Sequence, residues 1–172
     1  MSHALATVLL LGVFPFLMAY AAVSDLFTMT IPNRISLALV AAFGLLAAAG
    51  SLGWNDVLVH LGAGLGVLAL TFAMFAAGWI GGGDAKLAAA TALWLGVEGL
   101  GDYLLLASLG GGALTLAILV ARGRVLPRFA LGWAWAQRLH DRKTGIPYGI
   151  ALAAAALVAL PGSALWTSAL AG

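Results

Sequence analysis

Six apolar stretches of near-bilayer length, at about residues 4–23, 35–51, 57–79, 86–101, 103–121 and 146–165, leave this chain no way to fold as a water-soluble globule. A helix needs roughly 17–25 mostly apolar residues to cross a hydrocarbon layer of about 30 Å. The rest of the sequence cannot offset them: 63% of the 172 residues are hydrophobic and 8% are charged, against about 25% charged in an ordinary soluble domain. In lipid each backbone N–H and C=O has to be satisfied within the protein, which turns such stretches into helices. The expected fold is an all-α, polytopic membrane bundle of six transmembrane helices in a single domain, 1–172. The fourth stretch is short, and a tight turn near Gly99-Leu100-Gly101-Asp102 is expected to separate it from the fifth. The first stretch has no basic segment before it and no clear small-x-small cleavage site after it, so it reads as a retained helix rather than a signal peptide.

Charge orients the bundle. With six spans, alternate connections fall on alternate sides, and Arg34, Lys86, Arg122, Arg124, Arg128, Arg138, Arg142 and Lys143 then share one side. These are all eight basic residues of the chain. The positive-inside rule makes that side cytoplasmic. Asp56, Glu98 and Asp102 fall on the opposite side with both termini. A pI of about 9.4 superficially suits a nucleic-acid partner, but so few basic residues are better explained by a membrane. The linker at about 122–145 is the one substantial polar segment. Phe129, Trp133, Trp135, Ala136 and Leu139 cover about half of a helical wheel, opposite Gln137, Arg138, Asp141 and Arg142. That pattern predicts an interfacial helix on an anionic cytoplasmic leaflet.

Two acids sit where such a chain tolerates them least. Asp25 closes the first apolar stretch and Asp84 opens the fourth. A carboxylate near the bilayer core costs roughly 2.5–3.5 kcal/mol even on lenient insertion scales. The topology above puts both at the cytoplasmic level. Asp25 is followed by Ile31-Pro32-Asn33, where Pro32 breaks the helix and Asn33 is expected to cap the next one. Taken alone, Asp25 better suits a polar residue at a helix end, hydrated at the headgroup level. Asp84 follows Gly81, Gly82 and Gly83, which allow close backbone approach, and Lys86 comes two residues later. A glycine run is also an ordinary packing seam, and Gly110-Gly111-Gly112 is one with no acid. Lys143-Thr144-Gly145-Ile146-Pro147-Tyr148-Gly149 opens the last stretch, with Pro147 expected in its first turn.

Other chemistries find little support. Cysteine is absent, which removes thiolate zinc sites and cysteine nucleophiles. His60 lies inside an apolar stretch with no ligand at helical spacing, so it is expected to be packed or hydrogen-bonded, and neither metal nor cofactor is called for. Serines such as Ser108 and Ser163 have no His or Lys at a catalytic spacing.

The three segments together resemble the GxGD membrane aspartyl proteases, specifically the type IV prepilin peptidases. Asp25 with Ile31-Pro32-Asn33, then Gly81-Gly82-Gly83-Asp84-Ala85-Lys86, then Lys143-Thr144-Gly145-Ile146-Pro147-Tyr148-Gly149 follow the family pattern in order over about residues 20–150. The resemblance implies an aspartic endopeptidase of a prokaryotic inner membrane, with Asp25 and Asp84 catalytic at the cytoplasmic face. Gly81, Gly82, Gly83, Lys86, Pro32, Asn33, Lys143, Pro147 and Tyr148 would then shape the site. The implied partner is a prepilin or pilin-like protein cut after a basic leader and before its hydrophobic helix, in contact with membrane lipid and with no nucleic acid. The long members of the family carry a cysteine-rich zinc insert and also N-methylate the new terminus. This chain lacks both cysteine and insert, so it is similar to the short, protease-only members of tight-adherence (Flp-type) pilus systems. Archaeal preflagellin peptidases are close cousins. Two rivals remain at this point: a small proton- or ion-coupled transporter, since paired intramembrane acids also mark proton paths, and a non-catalytic assembly protein.

Overall fold

The computed structural model describes residues 2–50 and 52–170. Among them the chain is all-helical, 82% helix with no strand. The first helix runs Ala4–Thr28, as α1 (Ser2–Val8), a π turn (Leu9–Val13) and α2 (Phe14–Thr28). Then follow α3 (Asn33–Ala48), α4 (Trp54–Ala76), α5 (Gly82–Arg122), α6 (Ala134–His140), α7 (Gly149–Ala159) and α8 (Ala164–Leu170). Among the described residues three helices are long and apolar enough to cross a membrane: Ala4–Thr28, Trp54–Ala76 and Gly82–Arg122. Asn33–Ala48 and Gly149–Gly162 are shorter apolar helices. Large apolar side chains point outward all round the bundle, with Phe16, Leu65, Phe72 and Leu116 all well exposed. Water would penalise such a surface and hydrocarbon does not.

α5 is the central element, packed against α3, α4 and α7. It is one run of helix by hydrogen bonding, yet Gly96 has φ 65° and ψ −172°, a backbone conformation open essentially to glycine alone. The chain folds back there. Tyr148 touches Gly111 and lies within electrostatic reach of Asp84, although a straight helix would hold residues 84 and 111 about 40 Å apart. The reversal expected at Gly99–Asp102 is therefore at Gly96, and Gly99–Asp102 is helical. Its position follows from a neighbour on α4. His60 is buried, its ring covers Gly96, and its Nδ1–H donates to the Leu93 carbonyl at 2.8 Å. A helix that stops leaves its last carbonyls without partners, and His60 supplies one. Near this level Phe14, Phe43 and Trp94 form an aromatic core, with ring centroids 5.1 Å apart for Phe14–Trp94 and 6.3 Å for Phe43–Trp94. The Trp94 indole N–H donates to the Leu39 carbonyl at 3.0 Å, tying α5 to α3.

The other expectations need adjusting at helix ends. The predicted interfacial helix is one short 3₁₀ turn (Arg128–Ala130) plus the seven residues of α6. The last stretch is interrupted at Leu160–Gly162, where Pro161 removes an amide donor and α8 restarts. Pro147 lies before α7 rather than in its first turn. Pro32 itself is the N-cap of α3, so Asn33 is its first helical residue and caps nothing.

Candidate active site

Three chain reversals meet around Asp25. The first follows it directly. α2 ends with Met29 in the left-handed region (φ 55°) and its N–H donating to the Asp25 carbonyl at 2.8 Å. A side chain there costs about 1–2 kcal/mol. Hydroxyls tie the turn together: Ser24 Oγ donates to the Thr30 carbonyl at 2.9 Å and Thr28 Oγ1 to the Ser24 carbonyl at 2.7 Å. The chain then enters Ile31-Pro32 with Ile31 buried.

The second reversal joins α4 to α5. α4 closes in a Schellman motif, with Trp79 N–H on the Met74 carbonyl (2.9 Å) and Gly78 N–H on Phe75 (2.9 Å). Gly78 takes the positive φ of 77° that this motif requires. Gly81 then caps α5, which places Asp84 at its third position. An acid there can reach back to the cap amide, and the Asp84 carboxylate is hydrogen-bonded to the Gly81 N–H. Asp56 lies equally close to Gly53, the cap of α4, but Asp56 is exposed and Asp84 is not.

The third reversal is the turn into α7. The Gly149 N–H donates to Asp25 Oδ2 at 2.7 Å in a buried bond. Asp25 itself is 5% exposed. Ile31 is wedged between the other two turns. A Cβ on Gly83 would lie 3.1 Å from Ile31 Cβ, and one on Gly149 would lie 2.7 Å from Ile31 Cδ1. Asp84 feels the charge of Asp25. The structure thus brings together Asp25, Asp84, Gly83, Gly149, Ile31 and Tyr148. Each glycine of the run clears a protein neighbour: Gly81 the Asp84 carboxylate, Gly82 the Phe75 ring, Gly83 Ile31.

The lysines stand apart from the acids. Lys86 Nζ donates to Asn33 Oδ1 at 2.9 Å, which joins the starts of α3 and α5. Lys143 is exposed, and its backbone N–H bonds to Asp141 Oδ1 at 2.9 Å. Among the described residues neither lysine pairs with Asp25 or Asp84.

Several supporting residues carry no signal in the sequence taken alone. The Gly149 amide is one, since a backbone donor has no residue identity. Gly111 is another: the hydroxyl end of the Tyr148 ring packs against it, and the Tyr148 hydroxyl donates to the Ala107 carbonyl at 3.1 Å. Arg122 is the third. It is buried, with Nε donating to the Leu139 carbonyl (2.8 Å) and Nη2 to those of Thr144 (3.0 Å) and Gly145 (2.9 Å). One planar guanidinium thereby fixes both ends of the 139–145 segment, which leads into Tyr148 and Gly149. Arg138 donates to the Phe27 carbonyl and Trp135 meets Phe27 edge-on at 5.6 Å, docking α6 on the end of α2.

Two expected results follow. Gly149→Ala places a methyl 2.9 Å from Asp25 Oδ2 and 2.7 Å from Ile31. Overpacking of this kind costs about 1–3 kcal/mol, so the melting temperature in detergent should fall while unfolding stays cooperative. Arg122→Gln leaves carbonyls unpaired at a cost of about 1–3 kcal/mol each. Arg122→Lys should not restore the wild-type melting temperature, because one ammonium cannot reproduce the three-carbonyl fork. Thermal unfolding of the two variants beside wild type checks this.

A model of the type IV leader peptidase family matches residues 12–116 of the chain, more than half of it, and takes in Asp25, Ile31-Pro32-Asn33 and Gly81–Lys86. No curated protein and no solved structure matches.

Proposed function

We propose, from the premise that this chain belongs to the type IV leader peptidase family, that it is an intramembrane aspartic endopeptidase in which Asp25 and Asp84 act as one catalytic pair. Its substrates are prepilins or pilin-like proteins of the Flp type. It removes their basic leader at the cytoplasmic face of the inner membrane and does not methylate the product. The observation that carries the reading is the convergence of the two acids. Each carboxylate is oriented by a backbone amide, Asp25 by Gly149 and Asp84 by Gly81, and one feels the charge of the other.

Two carboxylates in one site share a proton more readily than both ionise. The ionised member takes a proton from a water, whose oxygen attacks the scissile carbonyl carbon. The protonated member donates to the carbonyl oxygen as negative charge builds there. Collapse of the tetrahedral intermediate breaks the C–N bond, and a proton passes to the leaving amine. The amides of Gly149 and Gly81 hold the carboxylates in place, so little reorganisation is needed during the reaction.

The orientation is supported by where the basic residues lie. Arg122 bonds to the turn that carries Gly149, Arg138 to the end of α2, and Lys86 to the start of α3. With six membrane spans all of these face the cytoplasm. The exposed rings of Phe129 and Trp133 beside Arg124 and Arg128 suit an interfacial segment resting on anionic lipid. Purified protein in detergent should cleave a purified prepilin at one site with no added cofactor. A transporter or an assembly protein would leave the prepilin intact.

A further inference from the structure

α3, α4 and the first half of α5 enclose an apolar groove of about 480 Å³ on the outer face of the bundle, within the range of about 300–1,000 Å³ of ligand sites. Its lining runs from residue 33 to 40 on α3, 61 to 68 on α4 and 86 to 93 on α5. Seven residues of rise is about 10 Å, or two helical turns. Leu37 and Leu65 on its walls are 68% and 63% exposed, while the small, buried Ala89 and Ala90 also line it. At one end stands the hydrogen-bonded pair Lys86–Asn33. That end is level with the site along the helix axis: Lys86 is two residues beyond Asp84, and Asn33 two beyond Ile31.

We propose that this groove seats the apolar helix of the substrate that follows the scissile bond, two turns deep, with its cleaved end at Lys86. The inference rests on the peptidase reading above. A helix packs well against small residues in a membrane, where backbones must approach closely to gain contact. The bond to be cut has to be extended, and its freed backbone carbonyls need donors in a low-dielectric setting. Lys86 keeps two further N–H groups beyond the one it gives Asn33, and it stands where the helix would unwind towards Asp84. A second copy of this chain is a poor occupant, because two turns supply far less than the roughly 800 Å² per partner of a stable interface.

The chain has no cysteine, so single-cysteine crosslinking carries no background. The test uses full-length protein in liposomes with Asp84→Asn to retain uncut prepilin, plus Leu65→Cys or Leu37→Cys. Val158→Cys on α7 and Leu109→Cys on α5, both well exposed, are the controls. Prepilin cysteines are scanned along the apolar helix. The expected result is crosslinking from Leu65→Cys and Leu37→Cys at substrate positions repeating every three or four residues, and none from the controls. In the active protein, Leu65→Trp should lower kcat/KM for full-length prepilin about tenfold more than for a short peptide lacking the apolar helix. Equal crosslinking from every face, crosslinks only between two copies of the enzyme, or none at all because lipid fills the groove would each overturn the proposal. Cleavage by the unmodified protein is measured alongside. If it cuts while the groove stays silent, the groove alone is wrong, and if it never cuts, the peptidase reading fails first.

Discussion

Asp25→Asn and Asp84→Asn should each reduce cleavage of a co-expressed prepilin by about 10³-fold or more, with the protein still present in the membrane at wild-type levels. Asparagine keeps the size and the acceptor oxygen, so the Gly149 and Gly81 amides retain partners. What is lost is the capacity to take and return a proton. A positioned acid or base contributes typically 10²–10⁴-fold, and when the two groups share one proton neither can act without the other. An opposing outcome is informative as well. If Asp84 served only to accept from the Gly81 N–H at the start of α5, the asparagine carbonyl oxygen would accept in its place and activity would persist. Immunoblotting of the processed and unprocessed forms, with membrane accumulation as the control, decides between these.

Gly111→Ala is the second large effect. A Cβ at this position would lie 2.1 Å from Tyr148 Cζ and 2.2 Å from its hydroxyl, well inside contact distance. The ring has to swing out, and its bond to the Ala107 carbonyl goes with it. Overpacking of this kind costs about 1–3 kcal/mol. The consequence extends to the chemistry, because Tyr148 is the residue before the Gly149 amide that holds Asp25. Loss of the latch should therefore lower both the melting temperature and kcat. Residues in contact are not additive: Gly111→Ala combined with Tyr148→Ala should be less destabilised than the sum of the two single variants. Gly110→Ala is the control, since a methyl there would make only ordinary contact with Ala151, at 3.8 Å. If Gly111→Ala melts and cleaves like wild type, the latch has no role.

Both acids were legible in the sequence because an intramembrane carboxylate is expensive wherever it occurs, and that judgement needs no tertiary knowledge. The breaks beside them were legible for a similar reason: Pro32 and Gly81–Gly83 act on their own backbone. What decided the rest lies far away in sequence. Gly99-x-Gly101-Asp102 carries better turn chemistry than Gly96, yet the reversal is at Gly96 because His60, 36 positions earlier, caps Leu93 there. Gly110–Gly112 has the composition of a plain packing seam, and only the long-range contact with Tyr148 sets Gly111 apart. Asn33 looked like a helix cap by residue type, but its side chain accepts from Lys86 instead. Local rules placed the chemistry, and long-range contacts placed the supports.

Single-turnover cleavage of one prepilin by four purified proteins bears most directly on the paired-aspartate mechanism: wild type, Asp25→Asn, Asp84→Asn and the double variant. Residues that act as one unit lose their effect together rather than in sequence. The predicted result is that either single variant loses about as much activity as the double. Losses that multiply in the double variant, or wild-type cleavage by either single one, would contradict a shared catalytic pair.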